Sequence, residues 1–467
     1  MNSIRNIKMK QLESHKIAIL KNDASQRLND LLNSESCLLI INQCREFRDR
    51  FYNPLMTIFL FIQQIFHPDK SCRNAVASHV TAQAVIGKKM SSSNTGPYCK
   101  ARQRLPEATV KSLVKNVGIM VDHKAQKEWR WKGRNVKLVD GTTVSMADTK
   151  ANQEKFPQHG MQEKGVGFPM VRIVVVISLA VGTIIDYAVD AYKGKGTGEH
   201  SLFRQIINCI NPTDILMGDR YYPSFFLLSD LINRGGDGVF HGQAQRHYDF
   251  RKGESLGKKE HLVYWKKPQK PSWMGQETYD QHPKELKIRE FKVQGKIYVT
   301  TLLDHKEHHK NELAKLYLFR WQVEISLGAI KTTLKMEHLS CKTPDMVLKE
   351  IGIHFLGYNI IRSIMAQSCH AHNKLPNQIS FKGAIQLINQ FMPYFLNVSE
   401  NKKIELSVEL LKRISLNGVG KRPGRVEPRA VKKRGKPFGM LKEDRKIAQN
   451  KLIAKIRKSR NSEIALA

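Results

Sequence analysis

The sequence holds no Cys-x-x-Cys pair. Its seven cysteines (Cys37, Cys44, Cys72, Cys99, Cys209, Cys341, Cys369) are odd in number and scattered, which argues against a disulfide framework or a thiolate zinc site. Long apolar runs are missing too. PLMTIFLFIQQIF and IVVVISLAVGTII each extend for about 13 residues, short of the roughly 20 that span a bilayer. The opening MNSIRNIKMKQLESHK has no apolar signal-peptide core. No membrane partner is expected, and a cytoplasmic location is. Negative charge is the scarcest commodity: 42 Asp and Glu stand against 77 Lys and Arg, a net charge of +35. So large an excess implies a polyanionic partner, nucleic acid before any other. The apolar fraction of 41% supports real cores and excludes a wholly disordered chain.

The hydrophobic pattern changes along the chain. Residues 1–130 read as helices, including QLESHKIAILKNDASQRLNDLLN, PLMTIFLFIQQIF and CRNAVASHVTAQAVIG. A break at SSSNTG precedes PYCKARQRLPEATVKSLVKNV, and Lys88, Lys89, Lys100, Arg102 and Arg104 gather around it. A helix-turn-helix DNA reader and a plain helical bundle both fit. From 131 to 242 the period turns strand-like, then helix and strand alternate, an α/β layout with a mixed sheet. Residues 243–302 are polar and rich in Gly and Lys, with islands such as HLVYW and LKIREFKV, and read as a β-rich insertion. Residues 303–400 return to helix. The tail, 401–467, carries 20 Lys and Arg against 6 Asp and Glu and suits nucleic-acid contact.

Against this basic background, single carboxylates at the ends of buried strands stand out, because each is costly without a cation. Asp140 closes VKLV and Asp219 closes DILMG. A third acid lies in YLFRWQVEISLGAIK, residues 317–331, which reads as one helix. At roughly 100° per residue, Tyr317, Arg320, Glu324 and Lys331 share a stripe about 60° wide. That stripe borders an apolar one formed by Leu316, Val323, Leu327, Ile330 and Leu334, with Gly328 and Lys335 close by. An ordinary exposed i, i+4 ion pair would explain Arg320 and Glu324 alone. Joined by Asp140 and Asp219, however, Glu324 could complete an oxygen-ligand site for magnesium or manganese. Two such ions, about 3.5 to 4 Å apart, promote in-line phosphodiester displacement.

These residues carry a resemblance. Asp140 in VDGTT, Asp219 in GDRYY, and the spacing Tyr317-x2-Arg320-x3-Glu324-x6-Lys331 resemble the DDE transposases of bacterial insertion sequences, in the group named for its Tyr-Arg-Glu-Lys signature. GVGFPMVR, RWQVE, KTPDMVLKE and GYNIIR are similar to that group as well. The resemblance implies an RNase H-like catalytic core, interrupted by the β-rich insertion, between a helical N-terminal DNA-binding region and a helical, basic C-terminal region. It implies Asp140, Asp219 and Glu324 as ligands of Mg2+ or Mn2+, two ions in all. Tyr317, Arg320, Lys331, Trp321 and Lys335 are implied as DNA contacts. The implied partners are terminal inverted repeats and target DNA, bound as a homodimer near the nucleoid, with cut-and-paste transposition that in some members passes through a DNA hairpin. Such members press an aromatic of the insertion against a flipped base; Trp265, Trp273 and Tyr298 qualify, and no motif chooses among them.

Other motifs invite and fail. GKGTGEH (194–200) lacks the order of a phosphate-binding loop and reads as a glycine-rich turn opening a helix. DHKEHH and CHAH have no second pair at zinc spacing and read as solvated helix ends. Two rival functions share the fold: a DNA-binding relic without catalysis, and an RNase H-like nuclease without strand transfer.

Overall fold

The computed structural model describes residues 31–44, 47, 51–370, 372, 374–396, 398–420 and 442–464. Five helices open the described chain: α1 (Glu35–Asn42), α2 (Pro54–Phe66), α3 (Cys72–Val85), α4 (Gly96–Arg104) and α5 (Glu107–His123). Local chemistry sets their starts. The Asn53 side chain accepts from Met56 N ahead of Pro54, and Ser71 does the same for Asn74 N. Most of the helix expected at residues 11–33, and the basic run at 422–437, lie outside the described residues.

Strands β1 (Val136–Met146), β2 (Met170–Ser178) and β3 (Ile184–Ala191) form an antiparallel sheet, with the short helix α6 (Lys150–Lys155) between the first two. The β2–β3 turn needs Gly182, whose φ is 76° and over which the Arg362 guanidinium closes. Then come α7 (Glu199–Ile206), β4 (Ile215–Gly218), α8 (Phe225–Asn233) and β5 (Asp237–His241), with β4 parallel to β1 and β5 parallel to β4. The chain continues through β6 (Glu254–Gly257), β7 (Glu260–Lys266), α9 (Gln276–Gln281), β8 (Glu285–Val293) and β9 (Lys296–Thr300). A two-residue turn, Gln294 and Gly295 at φ 49° and 79°, joins β8 to β9 as the twist of a hairpin favours. Strand β9 pairs with β5, so these strands prolong one sheet in the order β3-β2-β1-β4-β5-β9-β8-β7-β6.

Strands β2 to β5 are buried on both faces along most of their length, which is why they read as apolar runs, whereas β6 at the far edge is largely exposed. Leu138, Ile173, Val175 and Met217 pack in one core; Val139, Val174, Leu216, Phe203 and Leu228 pack in the other. The first is closed by α5 and by a later 27-residue helix.

The stretch read as one helix from 317 to 331 is helical throughout but not uniformly α-helical. It comprises α10 (Lys310–Tyr317), a 3-10 turn (Leu318–Arg320), α11 (Trp321–Gly328) and a π turn (Ala329–Thr333). The apolar stripe nevertheless holds, with Leu316, Val323, Leu327, Ile330 and Leu334 all buried. The π turn shifts the phase after Gly328, so Lys331 does not follow the 100° spacing assumed for it. The short β10 (His338–Leu339) pairs with β1, and the long helix α12 (Pro344–His370) follows, then α13 (Phe381–Phe391), α14 (Glu400–Leu416) and α15 (Arg445–Ile464). Among the described residues no helix is long and apolar enough to cross a membrane.

Candidate catalytic centre

Strand register brings the first two acids together. Leu138 on β1 lies opposite Met217 on β4, and continuing that parallel register sets Asp140 level with Asp219, one strand spacing apart. Each carboxylate is fixed by local backbone. Asp140 Oδ1 accepts from Gly141 N at 2.8 Å, and Asp219 Oδ1 from Tyr221 N at 2.8 Å. Burial pushes the Asp140 carboxyl up to about 6; the neighbouring acids Glu199 and Asp219 add to the rise, and Arg320 opposes it.

Arg320 links the third acid to this pair. Its guanidinium lies within electrostatic reach of Asp140 and donates to Glu324 Oε1 at 2.7 Å. The carboxylate of Glu324 is therefore held by a cation in this state. Among the described residues no three His, Cys, Asp or Glu side chains converge closely enough to cage a metal ion. The donor set still suits a hard divalent cation: it is all oxygen, and burial together with the other acids raises both Asp140 and Glu199.

The predicted DNA contacts separate. Arg320 is half-buried, Trp321 is 54% exposed and Lys331 is half-buried in the π turn. Lys335 is exposed and donates to Pro68 O at 3.2 Å. Tyr317 is buried, its ring lies 4.1 Å from that of His241, and its hydroxyl donates to Gly218 O at 2.9 Å. Because Gly218 directly precedes Asp219, Tyr317 braces the end of β4, and it also lines the cavity that opens beside Asp219.

Beside Asp219 opens a cavity of about 710 Å³, with Arg220, Arg246, Lys296, Arg320 and His241 on its walls. Burial, helped by Lys296, Arg320 and Arg220, pushes the His241 imidazole down to about 4, so it adds no charge at neutral pH. Of the three aromatics in the insertion, Trp265 is buried, donates from Nε1 to Glu290 Oε1 at 2.7 Å and lies under the Arg246 guanidinium. Tyr298 is buried as well, whereas Trp273 is 49% exposed.

Two further expectations need correction. Arg102, taken as part of a basic reading face, is buried: it donates to Gln64 Oε1 at 3.0 Å and stacks 4.2 Å from the Phe61 ring. Lys88, Lys89, Lys100 and Arg104 do remain exposed. His308 in DHKEHH is buried beside Trp131, not solvated. What the sequence reading passed over is Glu199, inside the glycine-rich motif set aside as a turn. A second omission is Lys70, whose ammonium donates to the carbonyls of Leu334 and Lys335, both at 2.7 Å, and so ties the N-terminal helices to the end of the π turn.

Residues 131–360 match the family model described as a transposase DDE domain. The chain is 26% identical over 344 residues to the transposase InsG for insertion sequence element IS4 of Escherichia coli (strain K12), covering 72% of this chain and 76% of that one. Among solved structures it is similar to a piggyBac transposase synaptic complex with hairpin DNA, at 9% identity and a TM-score of 0.39, over 87% of each chain. A likeness that weak carries no argument about this site.

Proposed function

We propose, from the premise that the chain belongs to the DDE transposases, enzymes of DNA cleavage and strand transfer, that it moves an insertion sequence by cut-and-paste transposition. In this reading it binds terminal inverted repeats and target DNA as a homodimer. Asp140, Asp219 and Glu324 hold Mg2+ or Mn2+, two ions. The observation that carries the reading is the register placing Asp140 beside Asp219, with the Arg320–Glu324 pair within electrostatic reach. The strand order β3-β2-β1-β4-β5, with only the first three antiparallel, supports an RNase H-like core. Around it we place a DNA-binding region at 1–130, core segments at 131–242 and 303–400, an insertion at 243–302 and a basic tail at 401–467.

Bound at the acids, the ions supply Lewis acidity to the scissile phosphate and to an attacking water or 3′-hydroxyl. The rest falls to the protein's own side chains. Tyr317 fixes the turn that presents Asp219. Arg320 exchanges Glu324 for a DNA phosphate oxygen, which its planar fork binds strongly. That exchange frees Glu324 to join Asp140 and Asp219 only when DNA is in place. Lys331, Lys335 and the exposed ring of Trp321 line the path of the backbone; of Trp265, Trp273 and Tyr298, Trp273 alone is exposed to meet a flipped base if ends are sealed as hairpins, once the Arg204 guanidinium 3.6 Å over its ring moves aside.

The test is cleavage of the element's terminal DNA by wild type and Glu324→Ala, with magnesium or with EDTA. Metal-dependent cutting that disappears in the variant, with DNA binding kept, is expected. Tight binding by wild type without cutting would instead establish a non-catalytic DNA-binding protein.

A further inference from the structure

Lys70 lies in the turn between α2 and α3, half-buried, with φ at 51°. So positive a φ is uncommon away from glycine and persists only where the surroundings hold it. Here they do. Lys70 N donates to His67 O at 3.2 Å, and Lys70 O accepts from Gln64 Nε2 at 2.7 Å. The other end of that amide, Gln64 Oε1, accepts from Tyr98 and Arg102 of α4 at 2.9 and 3.0 Å. The Lys70 backbone is thus anchored in the helical layer that exposes Lys88, Lys89, Lys100 and Arg104.

Its side chain leaves that layer. An ammonium has three donors, and three acceptors meet this one: Leu334 O and Lys335 O, both at 2.7 Å, and His354 Nε2 at 3.1 Å. His354 Nδ1 lies 2.8 Å from Glu350 O, which can only accept, so the imidazole proton sits on Nδ1 and Nε2 takes the bond from Lys70. Lys335 answers in the opposite direction. Its own φ is 54°, and its ammonium donates to Pro68 O at 3.2 Å.

The two carbonyls end the helical segment that carries Glu324. Ala329 O, Ile330 O and Lys331 O accept from Leu334, Met336 and Glu337 N at 3.1, 3.3 and 3.4 Å. Leu334 O and Lys335 O lie beyond that ladder, where a helix end favours a cation. Roughly 15 Å of helical rise separates Leu334 from Glu324, so Lys70 touches no reacting group.

We propose that Lys70 is a positioning residue for Glu324, through which the N-terminal helices supply the C-terminal cap of the segment that carries this acid. The proposal rests on the reading of Glu324 given above. Burial, helped by Lys335 and opposed by Glu350, brings the Lys70 ammonium down to about 8. His354, pushed down to about 4 by burial and by Lys70, adds no charge at neutral pH. His67 and Asp69, on the same turn, face each other at 3.0 Å. Above pH 8 the neutral amine has two donors for three acceptors, and the clasp loosens.

The experiment compares full-length wild type, Lys70→Met, Lys70→Arg and Glu324→Ala in Mg2+-dependent cleavage of saturating terminal DNA, beside amide hydrogen exchange of the DNA-free proteins. Lys70→Met is expected to raise exchange at residues 329–337 and to slow cleavage about 10-fold, the scale of a lost charged hydrogen bond. Its Kd for DNA should stay within about 2-fold of wild type. Lys70→Arg, which stays charged, should keep its rate at pH 9, where wild type slows. If Lys70→Met exchanges and cuts like wild type, or only weakens DNA binding, Lys70 positions nothing. Should Lys70→Met not fold, the pH profiles carry the test: wild type and Lys70→Arg slowing together above pH 8 would overturn the proposal. If Glu324→Ala cuts like wild type, the reading of Glu324 fails, and the proposal with it.

Discussion

Asp140→Asn should stabilise the metal-free protein, and should do so only at neutral and alkaline pH. Burial and the neighbouring Glu199 and Asp219 push this carboxyl from 3.8 to about 6, against the pull of Arg320. The folded chain therefore keeps its proton after the unfolded chain has released it. Stability falls as pH rises across that window and stays low above it. At about 1.4 kcal/mol per pH unit, the penalty is well under 1 kcal/mol at pH 4 and reaches about 3 kcal/mol by pH 8. Asparagine can keep the hydrogen bond from Gly141 N and cannot ionise. For a chain of 467 residues the unfolding entropy is about 1 kcal/mol per kelvin, so the gain at pH 8 corresponds to roughly 3 °C in Tm. The assay is scanning calorimetry in EDTA at pH 4 and pH 8, repeated with Mg2+. Wild type should recover the difference with Mg2+, because a cation satisfies the buried charge, and Asp140→Asn should not. Equal shifts at both pH values, or a variant less stable than wild type at pH 8, would refute the reasoning.

Three further outcomes follow from the same geometry. Arg320→Ala should tighten Mn2+ binding in the DNA-free protein, by releasing Glu324, while lowering DNA cleavage at least 10-fold; a titration and a cleavage assay read the two opposite signs. Tyr317→Phe removes the bond to Gly218 O and should cost about 1 to 3 kcal/mol in urea unfolding, the range for orphaning a buried acceptor, with a smaller effect on DNA affinity. Arg102→Met should leave the affinity of the folded protein for DNA unchanged, whereas Lys88→Ala with Lys89→Ala should weaken it and flatten its salt dependence by up to about two ion equivalents, measured by fluorescence anisotropy at several salt concentrations.

Much of the sheet that carries Asp140 and Asp219 is legible in the sequence. Period-2 and continuous apolar runs located β1 to β5, and their apolar faces are buried in the two cores on either side of the sheet. The apolar stripe around Glu324 also held, since burial tolerates small changes of helical phase. What the 100° rule could not show is where the helix tightens and widens. The 3-10 turn at Leu318–Arg320 holds neither Pro nor Gly, and the π turn at Ala329–Thr333 is marked only by Gly328 just before it. Charge misled in a similar way. Arg102 and exposed Lys100 look alike in a sequence window, but one stacks on Phe61 inside the helical layer. Tyr317 was assigned to DNA by its place in the signature, and only the fold shows its hydroxyl bound to Gly218. Glu199 carried a faint signal: a single acid closing a glycine-rich turn in a chain poor in acids. Its closeness to Asp140 depends on the room over Gly141, 58 positions away, and pairings of that range are set by sheet topology.

The pairing of β9 with β5 bears on how such a chain can be cut or diversified. His241 to Val239 would become a raw margin if residues 254–300 were excised, and exposed strand margins recruit other chains. The extra strands therefore act as a selvedge for the core. A shortened descendant would have to supply another cover for β5, and grafting a foreign module at this point would succeed only if it ended in a strand able to lie against Phe240.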